Sequence, residues 1–379
     1  MKIVLFANTD WYLYNFRLSL AKKLRGKGHE VIFLSPYGEY GEKIIQEGFR
    51  WEVAPMNRRG MNPVNELRFL LWLNRWMGKE SPDVVHSFTI KSAIYGSLIA
   101  RTVKVSARVN AVAGLGYIFT SRHMRARLLR PVVRNLMRLA LTGKNSRLIL
   151  QNPDDVDVFK KASIVKPDHI RLIMSSGVDC ERFKSVDRSQ RHGQPVRVLM
   201  TARLLWDKGV AEYVGAARML KAQLGEKIEF VLAGSPDPGN PASVSEEEVK
   251  SWVSEGLITW LGHVDNFHMP EVMSSADIFV LPSYYGEGLP RTLIEAGACG
   301  LPLVTTDSPG CREAVNSPGG NGSIVSIRDE KSLADAILLL YQDRALRESL
   351  GKAALEHVKR NFDEKIVLSK TIEVYRELV

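Results

Sequence analysis

The chain has 379 residues, 45% of them apolar and 25% charged, enough for one or two sizeable cores. Its 29 glycines and 17 prolines exclude collagen-like repeats and Pro/Gly-driven disorder, and three scattered cysteines (Cys180, Cys299, Cys311) exclude a disulfide framework or structural zinc site and point to a reducing compartment. The net charge of +10 is unevenly placed: residues 1–190 hold 32 Lys/Arg against 16 Asp/Glu, and residues 191–379 hold 20 against 26.

The start, KIVLFA at 2–7, reads as a strand followed at once by polar residues, which a signal peptide would not show. The segment NTDWYLYNFRLSL, 8–20, joins that strand to a helix over 15–27 and lacks the G-x-G-x-x-G fingerprint. Asn8, Thr9, Asp10 and Asn15 crowd polar groups there among Trp11, Tyr12 and Tyr14, which suits a sugar-containing ligand or, equally, a packed first turn. A strand at 30–35, a helix near 39–47, an extended 51–55, a helix over 63–79 and strands at 83–88 and 105–111 follow. His86, toward the end of DVVHSF, is the best placed of the eight histidines for a cleft. Gly114 and Gly116 in AVAGLGYIF permit close backbone approach, so that loop is a candidate acceptor or phosphate contact.

From Val84 to Pro153 there are 12 Lys/Arg and no acid, which implies an anionic partner: a membrane surface, a phosphorylated ligand or nucleic acid. Within it, residues 121–144 interleave Arg127, Arg130, Arg134 and Arg138 with Leu, Val and Met. Beyond Pro131, positions 132, 133, 136 and 140 form one helical stripe and Arg134 and Arg138 another. That is an amphipathic helix fit to lie on an anionic bilayer, or a helix packed on the sheet with solvated arginines; residues 56–79 are a second candidate. Nucleic acid is not expected, because no nucleic-acid-binding motif accompanies the charge. A strand at 147–152 leads to Asn152-Pro153-Asp154-Asp155, which reads as an N-cap, a first-turn proline and first-turn acids rather than a metal-binding pair at Asp155 and Asp157; no cofactor or metal is expected.

The hydrophilic stretch 186–195 reads as a linker, after which the pattern restarts. Strands are predicted at 196–202, 228–233, 258–261, 278–281, 302–306 and 323–327, with helices at 209–223, 268–275, 289–299, 330–341 and 344–359. The chain therefore divides into two Rossmann-like α/β domains, 1–185 and 196–360, facing across a cleft. A final helix within 361–379 is left open as to the domain it packs on.

Polar residues cluster at the strand ends of the second domain. Arg203 and Lys208, in ARLLWDKG, pair a guanidinium fork and a mobile ammonium beside a helix N-terminus, which suits a diphosphate; the alternative is two surface charges on a loop. In PSYYGEGLPRTLIEAGACG, Gly286 and Gly288 flank Glu287, Leu289 opens the helix, and Glu295 lies eight residues after Glu287. Glu287 at a helix mouth would stay ionised and serve positioning better than general-acid work. Gly234, after the strand IEFVLA, joins this donor-binding set.

These residues, in this order at strand ends, resemble the retaining glycosyltransferases of family 4, whose architecture is GT-B. The resemblance spans nearly the whole chain. It implies that Arg203 and Lys208 bind the donor diphosphate, that Glu287 lies near the donor sugar and that Glu295 binds the ribose hydroxyls. NFRLSLAKKL, the GLGY loop and PSYYGEGLPRTLIEAGACGLPLVTTDSPGCREAV are further similar to bacterial enzymes that extend a lipid-diphosphate-linked sugar, some with N-acetylgalactosamine. Many family members carry a histidine where this chain reads AVAGLGY, and His86 does not inherit its place. The expected function is transfer of an N-acetylhexosamine from a UDP-sugar to a polyprenyl-diphosphate-linked saccharide, by a peripheral protein on the inner face of the cell membrane. The alternatives are a UDP-sugar 2-epimerase of the same architecture and a non-catalytic module that binds anionic membranes or nucleic acid.

Overall fold

The apolar runs of the first half become strands because their residues are covered on both faces, which is why they do not alternate with polar ones. The structure, a computed structural model, describes residues 1–379 apart from 59, 61, 114–123, 189–190, 192 and 316–319, and describes 124–129 by their backbone alone. The chain forms two units, Met1–Ser176 with Val367–Val379, and Gly177–Ile366.

The first unit contains β1 (Lys2–Phe6), β2 (Glu30–Ser35), β3 (Arg50–Val53), β4 (Val84–Phe88), β5 (Ala107–Val112), β6 (Ser146–Leu150) and β7 (Ile170–Leu172). All pair in parallel, in the order β3-β2-β1-β4-β5-β6-β7. The order reverses between β1 and β4, and α/β sheets bind ligands at such a switch point. Helices α1 (Asp10–Arg25) and α2 (Tyr40–Gln46) cover one face; α3 (Pro63–Glu80), α4 (Ile90–Thr102), α5 (Met124–Leu141) and α6 (Pro153–Lys161) cover the other.

The second unit repeats the plan with β8 (Val196–Thr201), β9 (Ile228–Ala233), β10 (Thr259–Trp260), β11 (Ile278–Leu281), β12 (Leu303–Thr306) and β13 (Gly322–Val325). Their order is β10-β9-β8-β11-β12-β13, again parallel, with its switch point between β8 and β11. Helices α7 (Val210–Leu224), α8 (Glu246–Ser254), α9 (Met269–Ser274), α10 (Arg291–Ala298), α11 (Glu330–Gln342) and α12 (Arg344–Asn361) accompany them. The last helix, α13 (Glu364–Arg376), carries the chain back into the first unit, where Val367, Ile372, Val374 and Tyr375 are buried in the core beside α1. Glu377 accepts hydrogen bonds from Arg147 and Arg171, and these cations hold its carboxyl below the usual range.

Several elements differ from expectation. Helix α1 begins at Asp10, not at 15, because the Thr9 side chain accepts from the Tyr12 amide and caps it there. Helix α4 is absent from the sequence reading because IKSAIYGSLIA is buried around most of its circumference and shows no polar stripe. The stretch 186–195 is pinned to the second unit: Arg188 donates to the carbonyls of Ala276 and Cys299, and Arg191 pairs with Asp277. Asn152 caps α6, accepting from the Asp155 amide at 2.7 Å and donating to the Asp155 carboxylate, with Pro153 at the first helical position, as the spacing predicts.

Candidate functional site

At the C-terminal ends of β8 and β11, the second unit gathers a cation pair, a carboxylate and an aromatic ring. The chain leaves β8 through Arg203, makes a 3-10 turn over Trp206–Lys208 and enters α7 through Gly209 at φ +80°. A Cβ on Gly209 would stand 2.2 Å from the Pro282 carbonyl oxygen, so glycine lets this turn lie directly against the loop after β11. That loop is fastened to the turn by the amides of Tyr284 and Tyr285, which both donate to the Asp207 carbonyl at 3.0 Å. From the end of β12 and the turn beyond it, the hydroxyls of Thr306 and Ser308 donate to the Ser283 carbonyl.

Within this frame, Lys208 is buried and ion-paired with Glu287, whose Oε1 also accepts from the Ser283 hydroxyl at 3.2 Å. The Lys208 Nζ lies 5.2 Å from the centre of the Tyr285 ring. Burial pushes the Tyr285 phenol up, and the neighbouring Arg203 cation opposes that rise. Arg203 is half exposed and donates to Asp237 at 3.3 Å. The site thus presents one sheltered and one half-exposed cation beside an aromatic face, a combination able to receive a diphosphate and take up charge that develops on it.

Glu295 is placed differently. It is 5% exposed within α10, ion-paired with Arg291 at 2.7 Å, and burial pushes its carboxyl up against the pull of Arg291 and Arg182. Pro290 is the N-cap of α10 rather than a first-turn residue, so the helix opens at Arg291, and Leu289 is buried beneath the loop that ends there. At Gly234, φ is +143° and a Cβ would meet the Ala202 carbonyl at 1.8 Å, so its absent side chain allows the ends of β8 and β9 to touch. Gly286 and Gly288 flank Glu287 in the loop itself.

The first-unit candidates serve more local purposes than expected. Asp10 is buried and accepts from the amides of Trp11, Tyr40 and Gly41, tying α1 to α2. Thr9 is a helix cap, Asn15 donates to the Trp11 carbonyl one turn back, and Asn8 lies between β1 and that cap. His86 is a core residue in the middle of β4, 1% exposed, with Nδ1 2.6 Å from the Tyr375 hydroxyl; burial, aided by the Arg17 cation, holds its pKa well below 6.5. The expectation that it faces a cleft is therefore corrected. Gly114 and Gly116 lie outside the described residues.

The membrane-facing stripe on α5 also shifts. Met137, Ala140 and Leu141 face the core and Val133 packs against it partly buried, whereas Val132, Leu136 and Leu139 are exposed, so positions 133 and 140 leave the outward stripe and 139 joins it. Arg134 is exposed and Arg130 half-buried, while Arg138 donates to the carbonyls of Ala162 and Ser163, tying α5 to the end of α6. Arg127 lies outside the described side chains.

Residues 181–357 match the glycosyl transferases group 1 family and residues 2–152 the glycosyl transferase 4-like family. The whole chain is 30% identical to the N,N'-diacetylbacillosaminyl-diphospho-undecaprenol alpha-1,3-N-acetylgalactosaminyltransferase of Campylobacter jejuni, with 100% of this chain and 99% of that protein covered. The chain belongs to the group 1, 4-like glycosyltransferases. A second relative of this glycosyltransferase is the UDP-Gal:alpha-D-GlcNAc-diphosphoundecaprenol alpha-1,3-galactosyltransferase of Escherichia coli, 23% identical over 88% of this chain and 86% of that one. Among solved structures, Anabaena HepE in complex with UDP-glucose shares the fold at a TM-score of 0.78, with 19% identity and both chains fully covered. The two-unit α/β architecture is that of GT-B enzymes, and membership of a glycosyltransferase family makes the protein an enzyme and sets aside the epimerase and binding-module alternatives.

The cation pair of this glycosyltransferase was legible as residue types at a strand end. Tyr285 and the Lys208–Glu287 pairing were missed; the only signal was the doubled tyrosine before G-E-G, which says nothing of which side chains meet.

Proposed function

We propose that this glycosyltransferase moves an N-acetylhexosamine, N-acetylgalactosamine as the first choice, from a UDP-sugar to a polyprenyl-diphosphate-linked saccharide, with retention at the anomeric carbon. The observation that carries the reading is the end-to-end 30% identity with a transferase whose name specifies both that sugar and that class of acceptor. The arrangement around Lys208 supports the donor half. In the proposed step the bond between the anomeric carbon and the β-phosphate oxygen breaks as the acceptor oxygen bonds to the same face. The acceptor proton passes to the departing diphosphate. Arg203 and Lys208 stabilise the charge that develops on that leaving group, and Glu287 keeps Lys208 in place. Glu295, at the flank of α10, would receive the ribose hydroxyls, with Gly286, Gly288, Leu289 and Gly234 shaping the donor bed.

The proposal extends to an anionic membrane surface as the place of work, at the inner face of the cell membrane. Helices α3 and α5, which both pack on α4, carry exposed apolar stripes: Val64, Leu67 and Leu71 on the first, Val132, Leu136 and Leu139 on the second. The acid-free run from Val84 to Pro153 supplies the positive charge. No helix among the described residues is long and apolar enough to cross a membrane. The decisive experiment screens UDP-sugars against synthetic polyprenyl-diphosphate saccharides and determines the linkage and anomeric configuration of the product. UDP-N-acetylgalactosamine is expected to be the best donor and an α-linked product to form; a β-linked product, or turnover only with a free-sugar acceptor, would overturn the reading.

A further inference from the structure

Arg328, between β13 and α11, is a non-glycine residue at φ +57°. That left-handed conformation crowds a Cβ against its own backbone, and it persists only where the neighbourhood over-determines it. The turn into α11 does not need an arginine. Asp329 caps that helix, accepting from the Ser332 amide at 2.9 Å, and a glycine before it would enter the same turn without strain. What the arginine adds is its guanidinium.

The Arg328 Cζ lies 4.6 Å from the centre of the Tyr284 ring. The same cation acts on Glu212, in the first turn of α7, whose Oε2 is buried without a partner. Burial pushes both the Tyr284 phenol and the Glu212 carboxyl up, and the Arg328 cation opposes both rises. A second acid, Glu330, adds to the rise at Glu212. It sits so close to α7 that a Cβ on Gly215 would stand 1.9 Å from its Oε2. Arg328 therefore answers two carboxylates and one aromatic ring where β13, the loop after β11 and α7 come together.

Tyr284 and Glu212 stand on the two pieces of chain that hold Lys208. The Tyr284 amide donates to the Asp207 carbonyl, which shares a peptide plane with the Lys208 amide. The Ser283 hydroxyl reaches that carbonyl at 3.3 Å and Glu287 at 3.2 Å. Glu212 follows Lys208 by four residues, in the helix that the 3-10 turn enters.

We propose that Arg328 is a positioning residue for the donor site: it braces Tyr284 against the first turn of α7 and so fixes the peptide that carries Lys208. This rests on the transferase reading above for what Lys208 binds. The brace acts on the diphosphate end of the nucleotide and leaves the uridine end alone.

The test uses the full chain with Arg328→Gly, Arg328→Asn and Arg328→Lys. Glycine removes the strain together with the guanidinium, and asparagine tolerates the left-handed region, so both variants keep their thermal midpoint. Lysine keeps a cation at the ring and rescues in part. Hydrogen exchange reads the amides of Tyr284 and Tyr285. Titration calorimetry compares UDP with uridine monophosphate, which lacks the β-phosphate, and steady-state transfer gives kcat and KM. In the glycine and asparagine variants the two amides should exchange about tenfold faster. UDP affinity should fall about tenfold while that for uridine monophosphate holds. The kcat should fall on the order of tenfold to a hundredfold as Lys208 loses its place. Exchange as slow as the parent's in both variants would overturn the brace. Faster exchange with an unchanged ratio of the two affinities would overturn its action on Lys208, and so would equal weakening of both nucleotides, the mark of a unit loosened throughout. If the parent binds no UDP, the transferase reading of the donor fails, and the exchange measurement still decides the brace.

Discussion

In the donor site proposed above, Lys208 and Arg203 share one diphosphate from unlike positions, one buried against Glu287 and the other half exposed. Replacing either by alanine is expected to lower turnover by about 10²–10³, the usual loss when one group that stabilises a developing anion is removed. Steady-state kinetics on folded protein checks this, and near-normal turnover in both variants would contradict the assignment. Glu287→Gln should behave like a milder Lys208 variant, because it loosens the ammonium without removing it. His86 makes a different forecast. Its pKa in the folded chain is held well below 6.5, so the unfolded chain binds the extra proton first as pH falls. The contribution of His86 to stability is complete above about pH 6.5 and is lost as pH falls toward the folded value, at no more than about 1.4 kcal/mol per pH unit. Urea midpoints measured from pH 7.5 down to 5 should fall more steeply for the parent than for His86→Gln; parallel curves would show that the buried ring stays accessible to protons.

At the scale of elements, α3 and α5 present leucines outward where a helix that only packed on its sheet would present charge. Leu67, Leu71, Leu136 and Leu139 are exposed by 58%, 52%, 39% and 54%, so changing them to serine leaves the core intact. If these stripes enter a bilayer, each leucine contributes on the order of 1 kcal/mol or more of partitioning, and the fourfold variant should bind anionic vesicles about a hundredfold to a thousandfold more weakly. Vesicle sedimentation across a salt series separates this from the charge term, which fades with ionic strength whereas the leucine term persists. Equal sedimentation of parent and variant would return both helices to a purely structural role. The turn of the α5 stripe, which takes positions 133 and 140 inward and 139 outward, shows how far a helical wheel alone can be trusted. Spacing gives the angle between Leu136, Leu139 and Ala140, but which of them faces the sheet depends on the room that β5 and β6 leave.

At the scale of the molecule, α13 is a structural member of the first unit although it comes last in the chain. It buries Val367, Ile372, Val374 and Tyr375, and Glu377 beyond it pairs with Arg147 and Arg171. Each large buried apolar side chain is worth about 2–5 kcal/mol, so four of them approach or exceed the stability of a whole domain, about 5–15 kcal/mol. A chain ending at Ile366 should therefore lose the cooperative thermal transition of the first unit, and Glu377→Gln alone should lower its midpoint by only a few degrees. Calorimetry resolves the two cases; an unchanged first transition in the truncated chain would show that the helix is dispensable.

What the sequence determined was the repeated βα order, the parallel sheets and the residue types of the donor side. These follow from local causes: β-branched runs of five or six residues, the Asn152-Pro153 cap, and a basic pair where a strand passes into a helix. What only the tertiary structure decided were the meetings between distant residues. Lys208 finds Glu287 because Gly209 lets its turn rest on the Pro282 carbonyl, and His86 is sealed by Tyr375 from a helix 289 positions away. Arg17 is indistinguishable in sequence from the solvated arginines of any amphipathic helix; only the packing of Phe88 and Tyr12 around it shows a buried cation that, among the described residues, pairs with no carboxylate. Burial and pairing are properties of the folded neighbourhood, and no local pattern carries them.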